Sequence, residues 1–243
     1  RERVYRSTEN KARKGGAYLM SPEFEVLLLA IIVVTACVLP GVFLVLRGVS
    51  LMSDAISHAI LLGIVLSFFI VQDLNSPWLI IAATLTGILT VTLTELIIST
   101  KRMKKDAAIG IVFPVFFSIG VILISQFASD IHLDTDAVLL GEIAFAPFNR
   151  WVVSGLDLGP KAIWLMGIVA LVNSMVVTLF YKELKIATFD PGLAHTLGFS
   201  PLIIHYGLMT MTSLTAVGAF DSVGSILVVA LMIAPPSAAY LLT

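Results

Sequence analysis

From residue 21 onward the chain alternates long apolar runs with short polar punctuation. Ser21-Pro22-Glu23 has the form of a helix start, a capping serine followed by proline at the first helical position. Residues 24–46 are almost wholly apolar and end at Arg47-Gly48. That is long enough to cross a bilayer, which takes about 20 residues. A second span runs from Ala55 to Val71, longer if it begins at Ser53, and closes on the polar turn Gln72 to Pro77. Trp78 to Ser99 is a third span with Glu95 near its end. Ala107 to Ser125 is a fourth, in which Pro114 predicts a kink. The longest non-spanning region follows at 128–160, with Asp136 to Phe145 as a candidate short helix on the outer surface. Ala162 to Tyr181 is a fifth span and Pro201 to Phe220 a sixth. Asp221-Ser222-Val223-Gly224-Ser225 then interrupts the apolar pattern, Ile226 to Ala234 resumes it, and Pro235-Pro236 predicts a second break before Ser237 to Leu242. The expected fold is an all-α polytopic transmembrane bundle of about seven to nine spans.

Between the fifth and sixth spans, Asp190-Pro191 reads as cap and first helical residue, and Gly198 as a stop. A helix of two turns is too short to be stable alone in water and must dock on something. It is either packed on its own protein or presented to a partner.

Composition adds the class. Over 243 residues, 58% are hydrophobic and 13% charged, and the mean hydropathy is +1.01. Soluble domains carry about 25% charged residues, so this chain belongs in a membrane. The basic stretches are short and lack interleaved aromatics, which excludes nucleic acid as a partner. The lone Cys37 lies in an apolar run, so no disulfide framework or thiolate metal cluster is expected. Residues 1–20 are read as a basic tail, with a net +4 over the first 14, and residues 21–243 as the transmembrane domain.

Charge also orients the spans. Lys101, Arg102, Lys104 and Lys105 against Asp106 give a short loop of net +3. The positive-inside rule makes it cytoplasmic. Parity then puts 128–160 outside, the helix after Asp190 inside and the basic tail outside, against the tail's own charge preference.

The candidate chemistry is concentrated in Ser53-Asp54-Ala55-Ile56-Ser57-His58. Positions four apart share a helix face, so Asp54 and His58 can aim at one point, and Ser57 leans the same way. An ionisable residue inside a span is costly and is a functional-site hypothesis by default. A carboxylate with a neutral imidazole is half of a divalent-cation shell. The plain alternative is an aspartate satisfying its own helix end beside a packed histidine. Asp221 is either a turn residue at the outer surface, the preferred reading, or an acid on the same path.

These segments together resemble the membrane permeases of ATP-binding-cassette importers for manganese, zinc and iron. The resemblance rests on Gly41 to Arg47 leading into Ser53 to Ala59, on Asp106 to Phe113, on Gly141-Glu142-Ile143, on Tyr181 to Lys185 with Phe189-Asp190-Pro191, and on Gly224 to Ala230 with Pro235-Pro236. His132-Leu133-Asp134 and Phe220 to Gly224 also fit the manganese-type branch. The resemblance implies that Asp54 and His58 line the translocation path. It implies a cytoplasmic coupling helix at Phe189, Asp190, Pro191, Gly192, Leu193 and Ala194, running on to Leu197. Ser57, Asp221 and Glu142 are secondary pathway candidates. The implied partners are a cytoplasmic ABC ATPase dimer, an extracytoplasmic metal-binding protein and a second permease copy or paralogue, in a bacterial cell membrane. Mn2+ is the expected cargo, with Zn2+ or Fe2+ as alternatives, and no resident cofactor is expected. The family pattern continues beyond Thr243, and the basic tail is not part of it.

The sequence has no Gly-x-x-x-x-Gly-Lys-Ser/Thr loop, so ATP hydrolysis is assigned to a partner chain and the chain itself is not read as an enzyme. An ion-coupled secondary transporter or channel using Asp54 and Asp221 is the alternative. An intramembrane protease is unsupported, since neither His-Glu-x-x-His nor Gly-x-Ser-x-Gly occurs.

Overall fold

The computed structural model describes residues 21–72, 76–127, 143, 147, 149–153 and 156–242. The basic tail, the 136–145 segment apart from Ile143, and His132, Asp134 and Glu142 lie outside the described residues. The helices are α1 (Pro22–Leu46), α2 (Leu51–Val71), α3 (Pro77–Ser99), α4 (Lys105–Phe127), α5 (Lys161–Leu179), α6 (Tyr181–Phe189), α7 (Pro191–Thr196) and α8 (Pro201–Leu242). Seven stretches among them are long and apolar enough to cross a membrane, α8 supplying two, Pro201–Phe220 and Ser222–Leu242. The chain is a multi-pass helical membrane protein. One departure from an all-helical pattern is an antiparallel hairpin ahead of α5, β1 (Arg150–Val153) with β2 (Leu156–Pro160).

In a bilayer the apolar effect gives little drive for helix to meet helix, so close backbone approach and interhelical hydrogen bonds decide the packing. Both are visible at α1. Pro40 lies inside that helix and has no N–H for the carbonyl of Ala36, four residues back. The buried Asn173 of α5 supplies the missing donor, its Nδ2 reaching Ala36 O at 2.9 Å and Thr215 Oγ1 of α8 at 2.7 Å. One amide therefore ties three spans at a defect that a proline creates.

The second such place corrects the sequence reading. Pro235-Pro236 does not break α8, which runs on to Leu242; the non-helical residue is Gly224, at φ 73° and ψ 164°. Pro236 leaves the Met232 carbonyl without its helical donor. The backbone of Gly41 on α1 lies directly against that carbonyl, so close that a Cβ there would overlap it. Contact with a neighbouring helix is one of the ways in which prolines are tolerated within membrane helices. At Gly224 the positive φ suits a residue without a Cβ, and the break falls within the interrupted stretch that the pattern marked.

Two further details differ from expectation. The sequence pattern gives no element between the fifth span and Asp190, where α6 forms a separate helix of nine residues before α7. Ser21 precedes α1 without a side-chain cap; its carbonyl accepts from the N–H groups of Phe24 and Glu25 instead.

Candidate functional site

Polar side chains gather at the two ends of the bundle and in the first turns of α2. At one end, Glu25 of α1, 4% exposed, receives Arg150 of β1 through two hydrogen bonds of 3.0 and 3.1 Å. The planar guanidinium matches a carboxylate edge to edge. This pair fixes the start of α1 to the hairpin, and Trp151 packs edge-on against Trp164 of α5 beside it. The sequence reading passed over Glu25 because it lies inside an apolar run.

Asp54 is in the first turn of α2, where the positive end of the helix dipole favours a carboxylate. One turn on, His58 Nε2 stands 3.3 Å from Asp54 Oδ1. The predicted shared face is present. Their side chains are 36% and 23% exposed, whereas Ala55, Ile56, Ser57 and Ala59 around them are buried. Two rings of α4 wall the imidazole, Phe113 stacked and Phe117 edge-on, each with its centroid 5.7 Å away. These phenylalanines were not singled out, although their spacing of four across Pro114 was a legible signal of one face.

Ser57 does not join the pair. It is buried and its hydroxyl donates to the Ser53 carbonyl at 2.8 Å. Asp221 lies in helical backbone three residues before the Gly224 break, and its side chain is outside what is described. Among the described residues no third carboxylate, imidazole or thiolate completes a cluster around a metal ion. Cys37 is buried in the core of α1. The site is thus a carboxylate and an imidazole on one open face. Such a pair can share a proton or grip a divalent cation whose remaining ligands are water or come from another chain.

At the opposite end from Glu25, Asp190 caps α7, its Oδ1 accepting from Leu193 N at 2.9 Å. The expected cap and helix are present. Phe189, Leu193 and Leu197 are 68%, 48% and 54% exposed, and Asp190, Pro191 and Gly192 are exposed with them. Ala194, in the same helix, is fully buried and packs on its own protein. The apolar surface at this end is carried by Phe189, Leu193 and Leu197.

A second polar cluster at that end was not foreseen. Arg47 Nε donates to Thr188 Oγ1 of α6 at 3.1 Å, and its Nη1 lies 3.5 Å from His205 Nδ1 of α8. His205 Nε2 approaches Glu95 Oε1 of α3 to 2.5 Å. The geometry is off-line for a straight hydrogen bond, so the two groups are in close contact without one. These contacts bring α6 and the end of α3, which leads into the basic loop, to the same end of the bundle.

The family model described as the ABC 3 transport family matches residues 21–243. The chain is 55% identical over 211 residues to the zinc transport system membrane protein TroD of Treponema pallidum, covering 87% of this chain and 57% of that protein's length. It is 48% identical over 224 residues to the manganese transport system membrane protein MntD of Bacillus subtilis, covering 92% and 76%. A solved structure described as PsaBC from Streptococcus pneumoniae in complex with Fab aligns with a TM-score of 0.71 at 33% identity, over 92% of this chain and 74% of that one.

Proposed function

Since the chain belongs to the ABC 3 transport family, we propose that it is the permease subunit of an importer that moves a divalent transition metal across a bacterial cytoplasmic membrane. The observation that carries this reading is the Asp54–His58 pair: two ligand-type side chains held 3.3 Å apart and left accessible where the rest of their helix turn is buried.

The mechanism follows from the properties of that pair. A permeation site must bind strongly enough to admit its ion and weakly enough to release it. Four protein ligands would form a trap of the structural-zinc kind, whereas two leave most of the shell to exchangeable water. A cation entering the site would take Asp54 and His58 as ligands, and the carboxylate would offset half of its charge. Phe113 and Phe117 keep the imidazole from swinging away. A second permease copy would face the open side and lend further ligands.

Orientation follows the lysines and arginines. The end bearing the 101–105 loop, Arg47 and α6–α7 is cytoplasmic by charge. Its exposed Phe189, Leu193 and Leu197 form an apolar knob suited to a groove on a separate ATPase, which supplies the hydrolysis. An extracytoplasmic metal-binding protein would deliver the ion at the other end.

The proposed cargo is Mn2+. Relatives named for zinc, manganese and chelated iron indicate a scaffold compatible with several ions. One carboxylate, one imidazole and water suit manganese in a high coordination number. Zinc would bind most such sites more tightly, so selection would rest with delivery and release. The alternative of an ion-coupled transporter lacks any such support. The test is uptake of radiolabelled Mn2+ by a strain dependent on the full chain with its partner ATPase: D54A and H58A should each abolish uptake at normal protein level. Uptake equal to wild type in either variant, or growth rescued by zinc alone with no response to manganese, would overturn the corresponding assignment.

A further inference from the structure

Arg47 lies where two parts of the molecule meet. It caps α1 and stands seven residues before Asp54. The turn between them is tightly wound, with Arg47 N on Phe43 O, Gly48 N on Val45 O, Val49 N on Leu44 O and Met52 N on Val49 O, all at 3.0 Å. A turn with each of these N–H groups engaged leaves little slack, so a displacement of Arg47 is passed into the first turn of α2. On its other side the guanidinium holds Thr188, the last residue but one of α6. Asp190, two residues on, is the cap of α7. The same side chain meets His205, which meets Glu95, so the grip is braced on α8 and α3. These partners are 141 and 158 residues away in sequence, and no local role in capping α1 calls for them.

We propose that Arg47 is a positioning residue that transmits movement of α6–α7 to the helix carrying Asp54 and His58. The proposal rests on the reading of α6–α7 as the ATPase docking surface. Arginine suits the task because a fork of donors can hold a hydroxyl and an imidazole together, while a lysine offers one point of attachment. A simple clamp would make the same contacts; what separates the two is the ratio of metal moved to ATP consumed.

The experiment uses the full chain with its ATPase and metal-binding protein in proteoliposomes, recording Mn2+ uptake and phosphate release side by side. T188V removes only a hydroxyl at a half-buried position and R47K keeps the charge, so both are expected to assemble. Each should lower Mn2+ moved per ATP about tenfold, within the usual range for coupling between sites. T188S, which keeps the hydroxyl, should behave as wild type. R47K/T188V should be no worse than the poorer single variant, because both break one linkage. A wild-type ratio in T188V and R47K overturns the relay, as do multiplying losses in the double variant. A fall in uptake that only tracks a lowered thermal midpoint, at unchanged ratio, makes Arg47 a clamp and also overturns it. If the wild-type complex itself moves no Mn2+ on ATP, the permease reading is what has failed, and the relay falls with it.

Discussion

The proline defect in α1 allows a sharp test of how this bundle is held. Replacing Asn173 with leucine removes bonds of 2.9 and 2.7 Å to Ala36 O and Thr215 Oγ1. It leaves the Ala36 carbonyl, which Pro40 already deprived of its helical donor, with no partner. Interhelical hydrogen bonds in membrane bundles average about 0.6 kcal/mol. An acceptor buried without a partner adds about 1–3 kcal/mol. N173L should therefore cost about 2 kcal/mol in all, within a range of about 1–4. With roughly 2–4 °C per kcal/mol for a chain of this size, the thermal midpoint in detergent should fall by roughly 4–8 °C. The decisive step is the second background. P40A restores an N–H at position 40 and gives Ala36 O its helical donor, so N173L made in P40A should cost less than about 1 kcal/mol. Differential scanning fluorimetry and denaturant titration on the four proteins of the cycle measure this. Equal losses in both backgrounds would refute the idea that Asn173 answers the proline.

The remaining predictions are briefer. G41A should drive a methyl into the Met232 carbonyl and lower stability by about 1–3 kcal/mol; an unchanged thermal midpoint would mean the helices are not in that contact. E25Q should remove the buried counter-charge of Arg150, destabilising by about 3 kcal/mol, read as the same midpoint, and R150M in the E25Q background should recover part of the loss. L193R should leave assembly of the bundle intact while cutting ATP-driven uptake at least tenfold by burying an unpaired charge at the docking surface. A cysteine at position 193 should cross-link to the ATPase, whereas one at position 194, fully buried, should not.

What the sequence could reveal depended on how local each cause was. The Asp54–His58 face and the Asp190 cap each follow from a spacing within one or two turns, and both appear in the structure. Arg47 looked like the end of a span because its partners Thr188 and His205 lie far off in the chain. Pro235-Pro236 was misread for a related reason: the helix runs on through both prolines where Gly41, far off in the chain, packs against the Met232 carbonyl. The residues of α6, Tyr181 to Phe189, include Lys182, Glu183 and Lys185, a polar pattern that marks no helix when its packing is unseen. Ala194 shows the limit inside a correctly placed helix, since six residues are too few for periodicity to say which one turns inward.

The bond from Asn173 to Ala36 also sets a timetable. The two residues are separated by 137 positions, and a ribosome adds about 5–20 residues per second. Asn173 is therefore translated roughly 7–27 s after Ala36, so the carbonyl that Pro40 leaves without its helical donor is made well before the amide that bonds it. Assembly of the first span is therefore provisional until the fifth is inserted, and a slow or paused ribosome between the two lengthens the interval in which the chain is open to quality control.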